Sequence, residues 1–349
     1  MEDTYHMERM VFSGGLTDKM VGMLQQIEEF EPMDVLVSQL DRHSLVKMRS
    51  LIEVGVVKSL FIDSGAYSVY TGNVDRIDVE EYIEFVNSID DDICLIAQVD
   101  TLPGKFGEPK KSEDYITSAK LSWENYLYMR KRLKSPEKLI PVFHYGEPFD
   151  TLRNMLEWRD PEYDPESDTR KKNDKGQVWS EEFGWVYPDR VTVIGLSPAN
   201  DSAQSTKNIY LGECYDVIAA SSYPDARTHL FGMTSFDALK MFPCFSADSV
   251  SHRLRSAYNK VFTRKWGTIA LSDRSRTSKT KSNMSFLRVS DERTLKEFSD
   301  LLEHYHLTID QIRDDNAARV AVDIVESQLA VKGDWAYKPA NRVKAKRLF

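Results

Sequence analysis

Eight short apolar runs recur along this chain, each separated from the next by a longer stretch. The runs are Val35–Ser38, Ser59–Asp63, Cys94–Asp100, Leu139–His144, Val191–Leu196, Thr228–Gly232, Cys244–Asp248 and Gly267–Leu271. They are continuously apolar and rich in β-branched residues rather than alternating, as suits parallel strands buried on both faces. Amphipathic segments lie between them. Ser44–Val54 and Glu113–Leu133 carry apolar residues at helical spacing, and Asp78–Ser88 opens on an N-cap candidate, Asp78, followed by Glu80 and Glu81. Strand–helix alternation repeated eight times predicts a (β/α)8 TIM barrel, an α/β fold.

The 349 residues leave room for additions to such a barrel. Residues 159–187, polar and then aromatic, fall between the fourth and fifth runs and read as an insertion: a lid, a nucleic-acid contact or, more simply, a surface excursion. Two helical stretches follow Ser290. Asp291–Tyr305 is expected to serve as the eighth barrel helix and Thr308–Val331 as an extension, so 1–305 reads as the barrel domain and 306–349 as a C-terminal helix with a basic tail. No apolar run approaches the ~18 residues of a membrane helix, and the acidic start MEDTYHMERM has no apolar segment of the kind a signal peptide needs. No membrane partner and a cytoplasmic location are therefore expected.

Net charge is -9, which argues against a nucleic-acid partner until its distribution is considered. From His252 to Ser290 there are ten Lys/Arg and one acid, a segment of +9 in a remainder of -18. Arg253, Arg255, Arg274, Arg276, Lys279 and Lys281 stand out in it as candidate phosphate contacts. A solvated basic face is the plainer alternative.

In a barrel of this kind, chemistry sits where the strands end. Three runs end on carboxylates: Asp63 in FIDSGAYS, Asp100 in IAQVDTLPG and Asp248 in FSADSVS. Others end on His144, on Gly195-Leu196 and on Phe231-Gly232. Each Asp alone could cap the next helix, but three converging on one mouth suggest a site, because a buried carboxylate without a partner is costly. Two carboxylates flanking a glycosidic carbon provide a nucleophile and a general acid/base. The third can accept hydrogen bonds from a base or sugar. Glycines in DSGAYS and HLFGMTS allow close approach of a flat ring, and Tyr67 and Phe231 could sandwich it. An Asp-rich magnesium site is a weaker reading, since each Asp follows a different run with no second ligand in a metal pattern. The three cysteines, Cys94, Cys214 and Cys244, are too scattered for a zinc knot or a disulfide framework. No metal or other cofactor is expected.

Asp63-Ser64-Gly65-Ala66-Tyr67 resembles the DSGG-aromatic motif of tRNA-guanine transglycosylases. His229-Leu230-Phe231-Gly232 and Phe245-Ser246-Ala247-Asp248-Ser249 resemble that family's glycine-containing strand and its nucleophile strand. The nearer likeness is to the phage and bacterial branch, the DpdA-like DNA-guanine transglycosylases, which install 7-deazaguanines such as 7-cyano-7-deazaguanine in DNA. The resemblance spans most of 36–271. It implies a base-exchanging pentosyltransferase that works through a covalent glycosyl intermediate. Asp248 would be the nucleophile and Asp63 the general acid/base. Asp100 would bind the guanine edge, with His144 where the family usually has Gln. Ser64 belongs to the same substrate-binding motif, the Gly195-Leu196 backbone would contact the base, and Tyr67 and Phe231, with Gly232, would hold the ring. The family's three-cysteine, one-histidine zinc set is missing and Ala66 replaces the second DSGG glycine. Both departures favour DNA over tRNA. A tRNA-modifying enzyme and a barrel that only binds a base or nucleic acid are the alternatives.

Overall fold

The computed structural model describes residues 4–5, 7–199, 202–233, 235–273, 284–332 and 335–336. In chain order its strands are β1 Thr4–Tyr5, β2 Arg9–Ser13, β3 Met33–Ser38, β4 Val57–Asp63, β5 Ile93–Ala97, β6 Leu139–Ile140, β7 Val142–His144, β8 Val178–Ser180, β9 Gly184–Val186, β10 Val193–Ser197, β11 Arg227–Leu230, β12 Ser246–Ser249, β13 Lys260–Thr263, β14 Gly267–Ala270 and β15 Trp335–Ala336. Nine of them form one parallel sheet in the order β6-β5-β4-β3-β2-β12-β11-β10-β7. The two ends of that order, β6 and β7, flank Pro141, so the sheet curls into a nearly closed barrel. Proline has no N–H to give to a ladder, which is why the strand is interrupted there. Its carbonyl still accepts from the Gly195 N–H at 2.8 Å.

Seven of the eight apolar runs became barrel strands. The eighth did not. Gly267–Ala270 pairs antiparallel with β13 in a separate two-stranded ribbon, and only Ile269 of its four residues is buried. The missing strand is β2, which lies between β12 and β3. Arg9 at its start and its five-residue length hid it among the polar residues of the N-terminal stretch.

Helices cover the outside. Asp78 caps Val79–Ser88 by accepting from the Glu80 and Glu81 N–H groups, as its position suggests. The expected order of the last two helices is reversed. Asn316–Val331 is the one packed against β2 and against the helices Asp18–Leu24 and Ser251–Ala257, with 317–328 buried, whereas Glu292–His304 lies further out. Its near-continuous apolar sequence, AARVAVDIV, is what a helix enclosed on most sides requires.

Inside the barrel, Val11, Phe61, Leu95, Ile140, Val193 and Phe245 form a packed core. Val178, Phe183 and Val186 join it from the β8–β9 hairpin. That hairpin belongs to the 159–187 insertion, and its contacts fix which end it covers. Phe183 accepts through its carbonyl from Arg227, the first residue of β11. Glu182 pairs with Arg9, the first residue of β2. The insertion therefore plugs the amino-terminal end of the barrel, where a segment joining a helix to the next strand must emerge. It is not a lid over the strand ends. No helix among the described residues is long and apolar enough to cross a membrane.

Candidate active site

At the opposite end, where the strands finish, a cavity of about 820 Å³ opens. Asp63, Asp100 and Asp248 all line it, with His144, Tyr67, Phe231 and Gly232.

Asp63 is the last residue of β4. One of its oxygens accepts from the Gly65 N–H at 3.0 Å. That turn needs φ +84° at Gly65, a left-handed conformation that side-chain-bearing residues rarely adopt. Burial, with the Asp100 and Asp248 charges nearby, outweighs this one hydrogen bond and pushes the Asp63 carboxyl up to about 6.

Asp248, in β12, has a different environment. Its oxygens accept from Ser13 Oγ at 2.7 Å, from the Gly232 N–H at 3.0 Å and from His229 Nε2 at 3.3 Å. His229 is fully buried and its Nδ1 lies 2.8 Å from Ser246 Oγ. One proton arrangement satisfies the row: the Ser246 hydroxyl donates to Nδ1 and the Nε2–H donates to Asp248. The ring is held edge-on between Phe61 and Phe231, at centroid separations of 4.9 and 4.5 Å. Ser249, which neighbours Asp248 in sequence, faces Ser251 instead.

Asp100 follows β5. Gln98 Nε2 donates to one oxygen at 2.6 Å, and His144 Nε2 lies 3.3 Å from the other. The other His144 nitrogen is 3.1 Å from Glu147. Burial alone would lower the imidazole, but the carboxylates on its two sides overcome that and raise it to about 10. His144 is thus a cation at neutral pH, held between two acids.

Tyr67 and Phe231 both face the cavity, Tyr67 59% exposed and Phe231 half-buried. Ser64 is buried and supports the turn, with its hydroxyl accepting weakly from the Ala66 N–H. Gly195 and Leu196 lie below the cavity, not in its lining. The Gly195 N–H and the Leu196 carbonyl are already used by Pro141 and by Phe231. Gly195 matters for another reason, since a Cβ there would come within 2.6 Å of the Phe231 ring.

The basic segment is only partly an open surface. Arg255 makes a two-pronged ion pair with the fully buried Asp323, at 2.5 and 2.7 Å. Arg264 pairs with Glu326, Lys265 with Glu297 and Arg288 with Asp273. These acids sit mostly on helices that follow the segment, so counting charge within it alone overstates the field. Arg253 is exposed, with its guanidinium against Gly14. Arg274, Arg276, Lys279 and Lys281 lie outside the described residues.

Sequence reasoning missed Ser13, Gln98, Glu147 and His229. Glu147 lies three residues after His144, and His229 lies inside the HLFG segment, where the apolar run makes it look like an ordinary strand residue. Among the described residues, no group of three His, Cys, Asp or Glu is placed to hold a metal ion. No protein-family model matches the chain, and no curated protein matches it.

Proposed function

We propose that this chain is a guanine transglycosylase that exchanges guanine in DNA for a 7-deazaguanine. The observation that carries the reading is the contrast between Asp63 and Asp248 on one cavity. Asp63 is buried and holds a proton up to about pH 6. Asp248 is cradled by three donors. Carboxylates in environments this different can take the acid and the nucleophile roles of a double displacement. The barrel frame supports the same reading if β6 and β7 are taken as one strand interrupted at Pro141, which makes eight strands and a (β/α)8 architecture.

In the first step Asp248 Oδ attacks C1′ of the target nucleotide. The C1′–O bond forms, the C1′–N9 bond breaks, and the leaving guanine takes the Asp63 proton. In the second step the incoming 7-deazaguanine gives its N9 proton to Asp63 and attacks C1′, and the bond to Asp248 breaks. Asp100 accepts from the base's Watson–Crick edge through lone pairs that Gln98 and His144 leave unused. His144, as a cation, spends its two N–H groups on Asp100 and Glu147 and so fixes the orientation in which Asp100 meets the base. Tyr67 and Phe231 hold the ring. The target nucleotide is extruded from a duplex or taken from a single strand. DNA is preferred to tRNA because of Ala66 and the missing zinc-ligand set.

The test offers purified protein radiolabelled guanine with duplex DNA, single-stranded DNA and tRNA. Label entering DNA supports the proposal. Label entering only tRNA moves the assignment to RNA, and label entering none removes it.

A further inference from the structure

A second cavity, of about 780 Å³, adjoins the first. Lys207, Gly232 and Ser251 line both and form the ridge between them. The Gly232 N–H on that ridge already donates to Asp248, so the two spaces meet beside the proposed nucleophile. The second cavity runs from the start of the helix Gln204–Ala219 to the β13–β14 ribbon.

Its lining is cationic. Lys207, Lys240, Arg255 and Arg264 face it against one acid, Asp237. The two arginines are tied from behind by Asp323 and Glu326, so they present oriented N–H groups with little net charge. The lysines differ: neither Lys207 nor Lys240 takes part in an ion pair among the described residues. Polar surface outweighs apolar in the wall, and its two aromatic rings, Phe236 and Phe262, stack on each other at a centroid separation of 4.5 Å rather than standing apart to clamp a flat base. Phosphate suits it, because a phosphodiester needs cations and donors and leaves no ring to bury.

We propose that this second cavity is a phosphate track, in which Lys207 and Lys240 hold the backbone of the polynucleotide next to the nucleotide in the reaction cavity. The proposal rests on the transglycosylase reading for its choice of polynucleotide. A nucleotide with C1′ at Asp248 sends its adjoining phosphate over Gly232 and Ser251 toward Lys207. The grip therefore comes from residues ahead of the basic run at 252–290, where charge counting along the sequence does not look.

The test measures binding of a fluorescein-labelled single-stranded 12-mer of DNA between 50 and 200 mM salt, and separately of inorganic pyrophosphate. The proteins are wild type, Lys207→Glu/Lys240→Glu, and Lys120→Glu/Lys296→Glu, a charge-matched control on outer helices. Each neutralised phosphate contributes about 0.7 to the salt slope for single strands, so the first variant should lose about 1.4 in slope and at least about tenfold in affinity at 0.1 M salt. The control should move by less than about threefold. If thermal unfolding shows the reversal variant misfolded, Lys207→Gln/Lys240→Gln replaces it with the same expectation at reduced size. Unchanged oligonucleotide affinity and slope would overturn the proposal. So would loss of pyrophosphate binding with oligonucleotide binding kept, which would make the cavity a free-phosphate site. No step depends on turnover. Failed base exchange with lysine-dependent oligonucleotide binding ends the transglycosylase reading alone, and exchange with lysine-independent binding ends the track alone.

Discussion

The two ends of the barrel both bury charge, and they do so in opposite ways. At the amino-terminal end Arg9 sits between Asp34, at 3.0 Å, and Glu182 of the hairpin, and Ser59 donates to the second Asp34 oxygen. Every charge there has an opposite neighbour, and the hairpin closes over it. At the carboxyl-terminal end three carboxylates share one open cavity, and His144 is the cation set among them. The first arrangement is what a barrel does to close itself. The second crowds like charges, which costs stability and is retained where the crowding has a use.

The largest effect should come from breaking the open end. Asp63→Asn removes the proposed proton carrier and should slow adduct formation and resolution by about 10²–10⁴-fold. Oligonucleotide binding should stay intact, as single-turnover kinetics and fluorescence anisotropy would show. The wild-type rate of adduct formation should also fall as pH rises above about 6, where Asp63 loses its proton, and the mutant should lack that limb.

Breaking the closed end should do the reverse. Arg9→Met leaves Asp34 buried without its cation and should cost about 3–5 kcal/mol in denaturant unfolding. Activity per folded molecule should not change. Arg9→Met with Asp34→Leu should recover much of the loss, because the pair is then replaced rather than split.

A smaller effect sharpens the contrast through pH. A carboxyl whose folded value is raised binds more protons folded than unfolded, so its contribution to stability falls as pH rises. For Asp63 the window runs from its usual value near 4 to about 6. Asp63→Asn should therefore gain on wild type by up to about 3 kcal/mol between pH 4 and pH 7. His144 has the same sign but acts over a higher pH window. Its stabilisation is full below about 6.5 and is lost as pH approaches 10. Urea denaturation across pH 4–7 should show the two curves diverging; parallel curves would mean that the open end carries no strain.

How much of this was legible is itself uneven between the ends. The three strand-end carboxylates announce themselves because an Asp that closes an apolar run has few structural excuses. The amino-terminal end left no such mark. Arg9 and Asp34 sit near the starts of their strands, and Glu182 is 148 residues beyond Asp34, so only the fold brings them together. The eighth run misled for a related reason. Gly267–Ala270 has strand composition, but composition does not distinguish a barrel strand from one arm of a ribbon. His229 went unread because a histidine inside an apolar run looks like core until its two nitrogens are seen to reach Ser246 and Asp248. The basic segment read as an interface because Asp323 and Glu326 lie sixty or so residues away along the chain.

The smallest effect concerns that histidine. Ser246→Ala removes one hydroxyl from behind the ring and should cost about 1 kcal/mol in stability and no more than about tenfold in adduct formation. A larger kinetic loss would make the serine part of the chemistry rather than of the support.

The most direct measurement asks whether Asp248 carries the sugar. Wild type, Asp248→Asn and Asp63→Asn are each incubated with a labelled DNA oligonucleotide and a non-reactive base analogue, then run on denaturing gels. Wild type should show a covalent protein–DNA band, Asp63→Asn a slower one, and Asp248→Asn none, with oligonucleotide binding kept in all three. A band that persists in Asp248→Asn and disappears in Asp63→Asn would show the two roles exchanged, and full base exchange in both mutants would contradict the account.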